Sequence, residues 1–154
     1  MITCHVESFE ERLDELKVLL PDHYRELALN QDEVPLDPQY DVYIDNEHNG
    51  GLLFVVLRDA GEMVGYYIGF LAPGLHYKTC LTCITDIFYV KPERRDGTAG
   101  IKMFRFVEKE LKRRGVQRWF TGSKVAHDAS ALFDFLKFER VEIFYSKWLG
   151  SDNA

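Results

Sequence analysis

The sequence predicts an α/β (α+β) domain, a mixed and mostly antiparallel twisted sheet of about six strands flanked by helices, in the order β-α-α-β-β-β-α-β-α-β. Three observations support this prediction. Short segments rich in β-branched and aromatic residues recur along the chain. The turn-like tetrapeptide Asp59-Ala60-Gly61-Glu62 joins two of them as a hairpin. Residues 86–115 pass from a strand through an Arg- and Gly-rich turn into a strongly amphipathic helix.

The first half of the chain is predicted to begin with a strand and to continue with helices. Residues 2–7 alternate like a short strand, and a capping box at residues 8–11 opens a helix with apolar residues at helical spacing. Pro21 is predicted to break that helix and to start another, because proline lacks the N–H that a helix interior needs. A further short helix is expected near residues 37–43.

The second half of the chain supplies the remaining strands and the amphipathic helix. Gly115 stands where a glycine commonly ends a helix in the left-handed conformation. No linker or repeat interrupts the pattern, so residues 1–154 are predicted to form one domain. We expect strands at 51–58, 64–71, 78–90, 116–123 and 141–149, and helices at 98–114 and 129–137.

Composition and cysteine count exclude several classes of protein. The 46% apolar and 29% charged residues are ordinary for a globular protein, and no apolar run approaches the ~20 residues of a membrane span. The N-terminus does not resemble a signal peptide, so a cytoplasmic location is predicted. Three cysteines argue against a disulfide framework. Cys80 and Cys83 would point to opposite faces of a strand, so no metal site is predicted.

The net charge of −6 conceals a segregation of charge along the chain. Residues 22–49 carry eight acidic side chains against Arg25 alone, whereas residues 91–118 carry ten Lys and Arg against four acidic residues. The basic half suits a polyanionic ligand and the acidic half a cationic one; alternatively, both are solvated surfaces. The overall isoelectric point near 5.4 argues against nucleic acid as the partner.

The turn after the long strand has the features of a phosphate-binding loop. A strand that enters such a turn presents backbone N–H groups and the positive end of a helix dipole at one point. The P-loop and Rossmann patterns are absent from the turn. It contains instead Arg94-x-x-Gly97-x-Ala99, a fit to Q/R-x-x-G-x-G/A, and Val90-x-Pro92-Glu93 lies just upstream.

These motifs resemble the pyrophosphate-binding signature of the GNAT superfamily of acetyl-CoA-dependent N-acetyltransferases, and the order of elements resembles the GNAT fold over nearly the whole chain. Alignment on the upstream motif puts the family arginine at Arg95 and the last small residue at Gly100, whereas the hexapeptide puts them at Arg94 and Ala99. Both registers remain open. The resemblance implies acetyl-CoA as cosubstrate, bound by Tyr89, Val90, Arg94, Arg95, Asp96, Gly97, Thr98, Ala99 and Gly100.

The resemblance also implies direct transfer of the acetyl group, in a ternary complex, to a primary amine. The amine would belong to a small molecule or to a protein lysine or N-terminus, and the acidic segment favours a cationic acceptor. A homodimer is compatible with this interpretation. Thr98 is predicted to cap the following helix.

Asp86 is the candidate catalytic base, because it is an acidic residue within an otherwise apolar strand; its alternative role is to cap loop amides or to pair with an arginine. His76 follows a turn near the acceptor entrance of the fold, unless it is a solvated surface residue.

The sequence departs from the family in the last helix. The run Ala129-x-x-x-Phe133-x-x-x-Lys137-Phe138 has Phe133 where the family often has the tyrosine that protonates the departing thiolate. Tyr145 in the closing strand could replace that acid, or it could be a core residue. Phe133 also motivates the alternative of a non-catalytic acyl-CoA-binding or protein-interaction module that keeps the fold.

Overall fold

The computed structural model describes residues 1–95 and 97–150, and within them five strands and four α-helices form in the predicted order as far as the last helix. A single 3₁₀ turn, Pro92–Arg94, links the fourth strand to the third helix. The elements are β1 (Ile2–Val6), α1 (Leu13–Leu27), α2 (Tyr40–His48), β2 (Leu52–Asp59), β3 (Glu62–Gly74), β4 (Tyr77–Val90), α3 (Ala99–Arg113), β5 (Arg118–Phe120) and α4 (Ser130–Phe135).

The strands form one sheet in the order β1-β2-β3-β4-β5. The first four strands pair antiparallel with their neighbours, and β5 pairs parallel with β4, so the predicted mixed and mostly antiparallel sheet is confirmed. At the β2–β3 turn, Ala60 and Gly61 both have positive φ, 51° and 84°. Two positive φ values characterise a type I′ turn, whose twist matches that of a hairpin.

Each face of the sheet is covered by a pair of helices. On one face, α3 and α4 bury Met103, Phe104 and Phe133 against side chains of β2, β3 and β4. On the other face, α1 contributes Leu16 and Leu20 to a second core, and residues of α2 pack at its margin. This two-sided burial explains why β2 reads as a continuous apolar run and does not alternate.

Helix α1 continues through Pro21, so the predicted helix break there is wrong. An interior proline costs about 3 kcal/mol in helical stability. Three leucines of α1 are buried against the sheet, and each contributes roughly 1.5–3 kcal/mol, so the apolar face outweighs the local penalty. At the start of α1, the amide of Glu11 donates to Ser8 Oγ at 3.2 Å, while Glu47 of α2 accepts the amide of Phe9 at 2.6 Å.

The predicted closing strand at residues 141–149 is wrong in this structure. These residues are exposed and belong to no strand, and β5 extends only from Arg118 to Phe120, which is shorter than predicted. A strand exists only where another strand pairs with it, and no described strand lies on the outer edge of β5. Every helix within residues 1–95 and 97–150 is too short or too polar to cross a bilayer.

Candidate functional site

Strands β4 and β5 pair over a short distance and then separate. The parallel ladder joins Thr82 to Arg118, Cys83 to Trp119 and Ile84 to Phe120. Beyond the last pair, residues 85–90 of β4 continue with no described strand on that side. The separation leaves one backbone edge of β4 open, and this edge leads directly into the turn before α3. The sheet therefore contains a gap bordered by backbone N–H and C=O groups.

Asp86 is the extra residue of a β-bulge at the start of this gap. In the β3–β4 ladder, Ile68 pairs with Ile87 and Gly69 pairs with Thr85, so Asp86 has no partner on β3. Because of the bulge, Asp86 and Ile87 face the same side: the Asp86 carboxylate reaches α2, and Ile87 packs at the margin of the core beneath α1 and α2. The bulge thus directs a carboxylate towards the helices beside the gap.

The environment of the Asp86 carboxylate acts on its pKa in two directions. The hydroxyl of Tyr43 in α2 donates a hydrogen bond to Asp86 Oδ2 at 2.6 Å. Desolvation by the surrounding protein raises the pKa of Asp86, and this effect exceeds the lowering by the Tyr43 hydrogen bond and by the positive charge of Lys124. A carboxylate that has a raised pKa and remains accessible to solvent is suited to accept a proton.

The turn after β4 presents backbone amides at the start of α3. The amide of Lys102 donates to Thr98 O at 2.8 Å, so the amides of the preceding first turn, Ala99 to Ile101, are the ones that an α-helix leaves without a helical partner. Gly97 has open space where a Cβ would stand, with nothing within 4 Å. Thr98 occupies the N-cap position as predicted, but its side chain makes no capping hydrogen bond. Asp96 lies outside the described residues.

The side chains of both candidate arginines are engaged by other parts of the chain. Arg95 donates to Val90 O at 2.6 Å, makes a bidentate pair with Glu26 of α1 at 2.6 and 2.8 Å, and lies over the ring of Tyr89. Arg94 Nε lies 3.0 Å from Asp59 Oδ2, an ion-pair contact without hydrogen-bond alignment. The guanidinium groups therefore stabilise the turn by contacts within the chain. A ligand at the turn would meet mainly backbone amides.

A cleft of about 340 Å³ lies between α1, the loop at residues 28–38, α2 and β4. Most of its lining is apolar, with Leu16 and Ile87 among the contributors. Tyr43 also lines it, so the cleft reaches the side chain that holds Asp86. Polar side chains are few, and of the acidic residues in the segment 22–49 only Asp37 lines the cleft. The other polar lining residues are His23, Tyr24, Tyr40 and Lys124.

His23 is a buried polar residue of this cleft that sequence reasoning missed. Its Nδ1 lies 2.5 Å from the hydroxyl of Tyr66, and its ring stacks on Tyr89 at a centroid distance of 4.9 Å. Burial lowers the pKa of His23 to about 4, so the imidazole is neutral near pH 7. The available signal was a histidine on the apolar stripe of α1, three residues after Leu20.

Of three further residues singled out from the sequence, two lie away from Asp86 and the third is buried among aromatic side chains. His76 sits at the exposed tip of the β3–β4 hairpin, where the neighbouring Tyr77 pairs with Gly74, whereas Thr85 beside Asp86 pairs with Gly69. The five residue steps on β3 from Gly69 to Gly74 correspond to roughly 17 Å at ~3.3 Å per strand residue. Tyr145 is 91% exposed in the segment after α4. Phe133 of α4 is buried among Phe88 and Phe104. The structure does not bring His76 or Tyr145 to Asp86; the catalytic roles assigned from sequence stay predictions.

The fold matches that of solved acetyltransferase structures along nearly the whole chain. A ribosomal-protein-alanine N-acetyltransferase from Brucella melitensis biovar Abortus 2308 superposes with a TM-score of 0.73 at 14% identity, covering 97% of this chain and 100% of that one. An aminoglycoside acetyltransferase from an uncultured soil metagenomic sample gives 0.76 at 14% identity, with 97% and 99% covered. A Clostridium acetobutylicum structure, described as a predicted acetyltransferase with acetyl-CoA, gives 0.73 at 13% identity, with 97% of each chain covered.

These likenesses confirm the GNAT fold that the sequence motifs predicted. No protein-family model and no curated protein sequence matches the chain.

Proposed function

We propose that this chain, which has the GNAT fold, is an N-acetyltransferase that moves an acetyl group from acetyl-CoA to a primary amine by direct transfer in a ternary complex. The observation that carries the proposal is the bulge at Asp86. It puts a carboxylate of raised pKa beside the gap between β4 and β5, on the strand that runs into the phosphate-binding turn. A candidate base, an open strand edge and a turn with free helix N-terminal amides on one strand support a role in acyl transfer from CoA.

One end of the cosubstrate would bind at the turn, and the rest would extend into the gap between β4 and β5. Its pyrophosphate would accept hydrogen bonds from the amides at the start of α3, those of Ala99 to Ile101, where the helix dipole favours negative charge. Its pantetheine arm would follow the open edge of β4, and a backbone N–H near Tyr89 would polarise the thioester carbonyl. The thioester is already activated, so much of the acceleration would come from holding the two reactants together.

In the chemical step, the amine nitrogen attacks the carbonyl carbon of the thioester, a C–N bond forms, and the C–S bond breaks. The amine arrives as an ammonium ion, and Asp86 would accept the first proton that it must lose. Once the C–N bond has formed, the nitrogen loses a second proton to solvent. Phe133 has no proton to give, so CoA would leave as its thiolate and be protonated from solvent, which has received that second proton. A thiolate is a competent leaving group because a thiol has a pKa near ~8.5.

The acceptor would bind in the cleft bounded by α1 and α2. Its apolar lining suits an acceptor that carries an apolar portion next to the amine, and Asp37 at the cleft could attract the ammonium ion. Two of the similar structures are enzymes with different acceptors, a ribosomal-protein alanine and an aminoglycoside. The acceptor class therefore depends on the lining of this chain's own cleft.

Phe133 favours a second candidate function, that of an acyl-CoA-binding module without turnover. Its ring lies within a cluster of aromatic side chains that includes Phe104 and Phe138, and it has no group that titrates. Such a module would bind CoA at the same turn and release no acetylated amine.

Incubation with acetyl-CoA and a panel of amines separates the two candidates. The panel would include polyamines, aminoglycosides, amino acids and peptides with free N-termini, and mass spectrometry would detect the acetylated amine. We expect one class of amine to be acetylated by the parent and to be acetylated much more slowly by Asp86→Asn. CoA binding, followed by melting temperature, should be equal in both proteins. CoA binding without any product would favour the module, and no CoA binding would contradict both candidates.

A further inference from the structure

One lysine brings a positive charge to the mostly apolar cleft between α1 and α2. Among the described residues, Lys124 is the only Lys or Arg that lines this cleft. Its charge lowers the pKa of Asp86 and that of His23, so its ammonium group lies near both side chains. Lys124 makes no ion pair with a carboxylate of residues 1–95 or 97–150. The described part of the chain therefore offers this cation to a ligand in the cleft.

The loop between β5 and α4 holds the backbone of Lys124 at the cleft by contacts on both sides of it. The amide of His127 donates to Lys124 O at 3.1 Å and closes a tight turn. His127 Nδ1 lies 3.3 Å from Oε1 of Glu26 in α1, the helix that forms one wall of the cleft. On the other side, Ser123 Oγ donates to Asp128 Oδ1 at 2.9 Å. The position of the lysine is thus set by the fold, while its side chain remains exposed to a ligand.

The charges around the proposed base suit an ammonium group and a carboxylate together. An acceptor ammonium that approaches Asp86 is repelled by the nearby Lys124, because the two cations have like charge. A carboxylate of the acceptor that pairs with Lys124 removes this repulsion and adds a charge-assisted hydrogen bond. In an α-amino acid the ammonium and the carboxylate are bonded to the same carbon atom, so one small ligand can contact both residues.

The rest of the lining determines which side chain that amino acid can carry. Phe9, Leu16, Leu20 and Ile87 are among the apolar residues of the cleft, whose volume is about 340 Å³. A volume of this size is in the range of small-molecule sites. His23 in the same lining is neutral near pH 7, because burial lowers its pKa to about 4. An apolar side chain gains from burial here, whereas an uncharged polar one loses its hydration.

We propose that the acceptor is an α-amino acid with an apolar side chain: its amine faces Asp86, its carboxylate pairs with Lys124, and its side chain fills the cleft between α1 and α2. The inference rests on the proposed function, because it names the amine that the N-acetyltransferase would use. The C–N bond forms and the thioester C–S bond breaks. The nitrogen gives up two protons, one to Asp86 and one to solvent, and the CoA thiolate gains one from solvent. The N-acetylated amino acid keeps its carboxylate.

Matched acceptors test the carboxylate and the side chain separately. Isopentylamine is leucine without its carboxylate, leucinamide has a neutral amide in that place, and asparagine has a polar side chain of similar shape. We expect the parent to acetylate leucine in preference to all three, and by more than about tenfold over asparagine. An equal kcat/KM for leucine and asparagine would overturn the assignment of the cleft to the side chain.

Lys124→Met tests the carboxylate contact, because it removes the charge and keeps an unbranched side chain. The kcat/KM ratio of leucine to isopentylamine, and that of leucine to leucinamide, should each fall about tenfold in this variant, the lower end of what a hydrogen bond to a charged group contributes. Comparing the ratios between proteins cancels the different basicities of the amines. Lys109→Met is the matched control, an exposed lysine on the outer side of α3, and should leave both ratios unchanged. Unchanged ratios in Lys124→Met would overturn the proposal.

Titration calorimetry of leucine into the protein saturated with CoA separates this inference from the proposed function. We expect leucine to bind the parent about tenfold more tightly than it binds Lys124→Met. Such binding without any N-acetylleucine would contradict the acetyltransferase and keep the amino acid as the ligand. Acetylation of other amines without binding or acetylation of leucine would overturn this inference alone. Neither leucine binding nor acetylation of any amine would overturn both.

Discussion

The hydroxyl of Tyr43 donates a hydrogen bond to Asp86 Oδ2 at 2.6 Å and so connects α2 to the bulge of β4. The bond favours the charged form of Asp86 and opposes the desolvation that raises its pKa. Reciprocally, burial and the neighbouring carboxylate raise the pKa of Tyr43, so its hydroxyl stays protonated and remains a donor. One side chain of the proposed acceptor cleft therefore favours the charged form of the proposed base.

Tyr43→Phe should move the acidic limb of the pH profile of kcat/KM to higher pH. Loss of a hydrogen bond to a carboxylate is worth about 1.5–3 kcal/mol, so a shift of about one to two pH units is expected if Asp86 is the base. Asp86→Asn should lower kcat by ~10²–10⁴ and remove the limb. Tyr40→Phe, also on α2 and lining the cleft, is the matched control and should leave the limb in place. An unmoved limb in Tyr43→Phe would assign Asp86 a structural role.

Gly97→Val should weaken CoA binding more than tenfold and leave the melting temperature of the free protein nearly unchanged. A Cβ at Gly97 meets nothing within 4 Å, so valine fits the free protein but fills space that the pyrophosphate would need. Isothermal titration with CoA measures the affinity, and Gly97→Ala should give an intermediate loss. Equal affinities in the three proteins would mean that the phosphates bind elsewhere. At a hundredfold excess over Kd, CoA should stabilise the parent by about 2.7 kcal/mol.

His23 should make the protein less stable as the pH falls below about 6.5. Its pKa is about 4 when folded and 6.5 when unfolded, so the unfolded chain binds a proton first. The stability is fully present above pH 6.5 and is lost as the pH falls towards 4. Between pH 7.5 and 5.0 the loss should be roughly 2 kcal/mol in urea unfolding. His23→Gln should lose less over this interval, and an identical loss in both proteins would contradict the assignment.

Asp37→Asn should raise KM for the amine acceptor and leave KM for acetyl-CoA nearly unchanged. Asp37 lines the cleft, whereas the exposed Asp32 of the same acidic segment does not. Asp32→Asn removes the same charge and is therefore the control. Salt should weaken acceptor binding more in the parent than in Asp37→Asn, because screening acts on the same attraction. Equal effects of the two substitutions would point to the general charge of the segment.

Lys137→Gly should stabilise the fold by roughly 0.5–1 kcal/mol. Lys137 has φ of 69°, in the left-handed region that a residue with a Cβ rarely adopts. Lys137→Ala removes the charge but keeps the Cβ, so it should give no such gain. Urea unfolding of the three proteins measures the difference. A glycine variant no more stable than the alanine variant would show that the side chain carries a compensating contact.

The sequence predicted correctly the helices and strands that are determined by residues close together in the chain. The amphipathic pattern predicted α3 to within a residue at each end, and the turn at 59–62 predicted the β2–β3 hairpin. It failed where distant partners decide the structure. Pro21 stays helical because the sheet buries its neighbours, and residues 141–149 lack a partner within the described chain.

The same distinction holds for the candidate site: residues close together in the chain could be proposed from the sequence, and those contributed by distant segments could not. Asp86 and the candidate phosphate turn could be proposed from the sequence because they lie on one strand and the loop that follows it. Tyr43 and His23 were not assigned to the site, because they approach β4 from helices far away in sequence. The single domain over 1–154 and the cytoplasmic location stay predictions.

Because Asp86 is the extra residue of the bulge in β4, deletion of its single codon could remove the proposed base and leave the fold in place. Thr85 and Phe88 face α3 and α4, whereas Ile87 and Tyr89 face α1 and α2. If Asp86 were removed from the chain, these four side chains would already alternate as a regular strand, and the register with β3 would run without a shift from Leu81 to Val90. The proposed base is thus an insertion that the core does not use. A descendant that lost it in one deletion event could keep the sheet, the turn and the cofactor surface while giving up proton transfer.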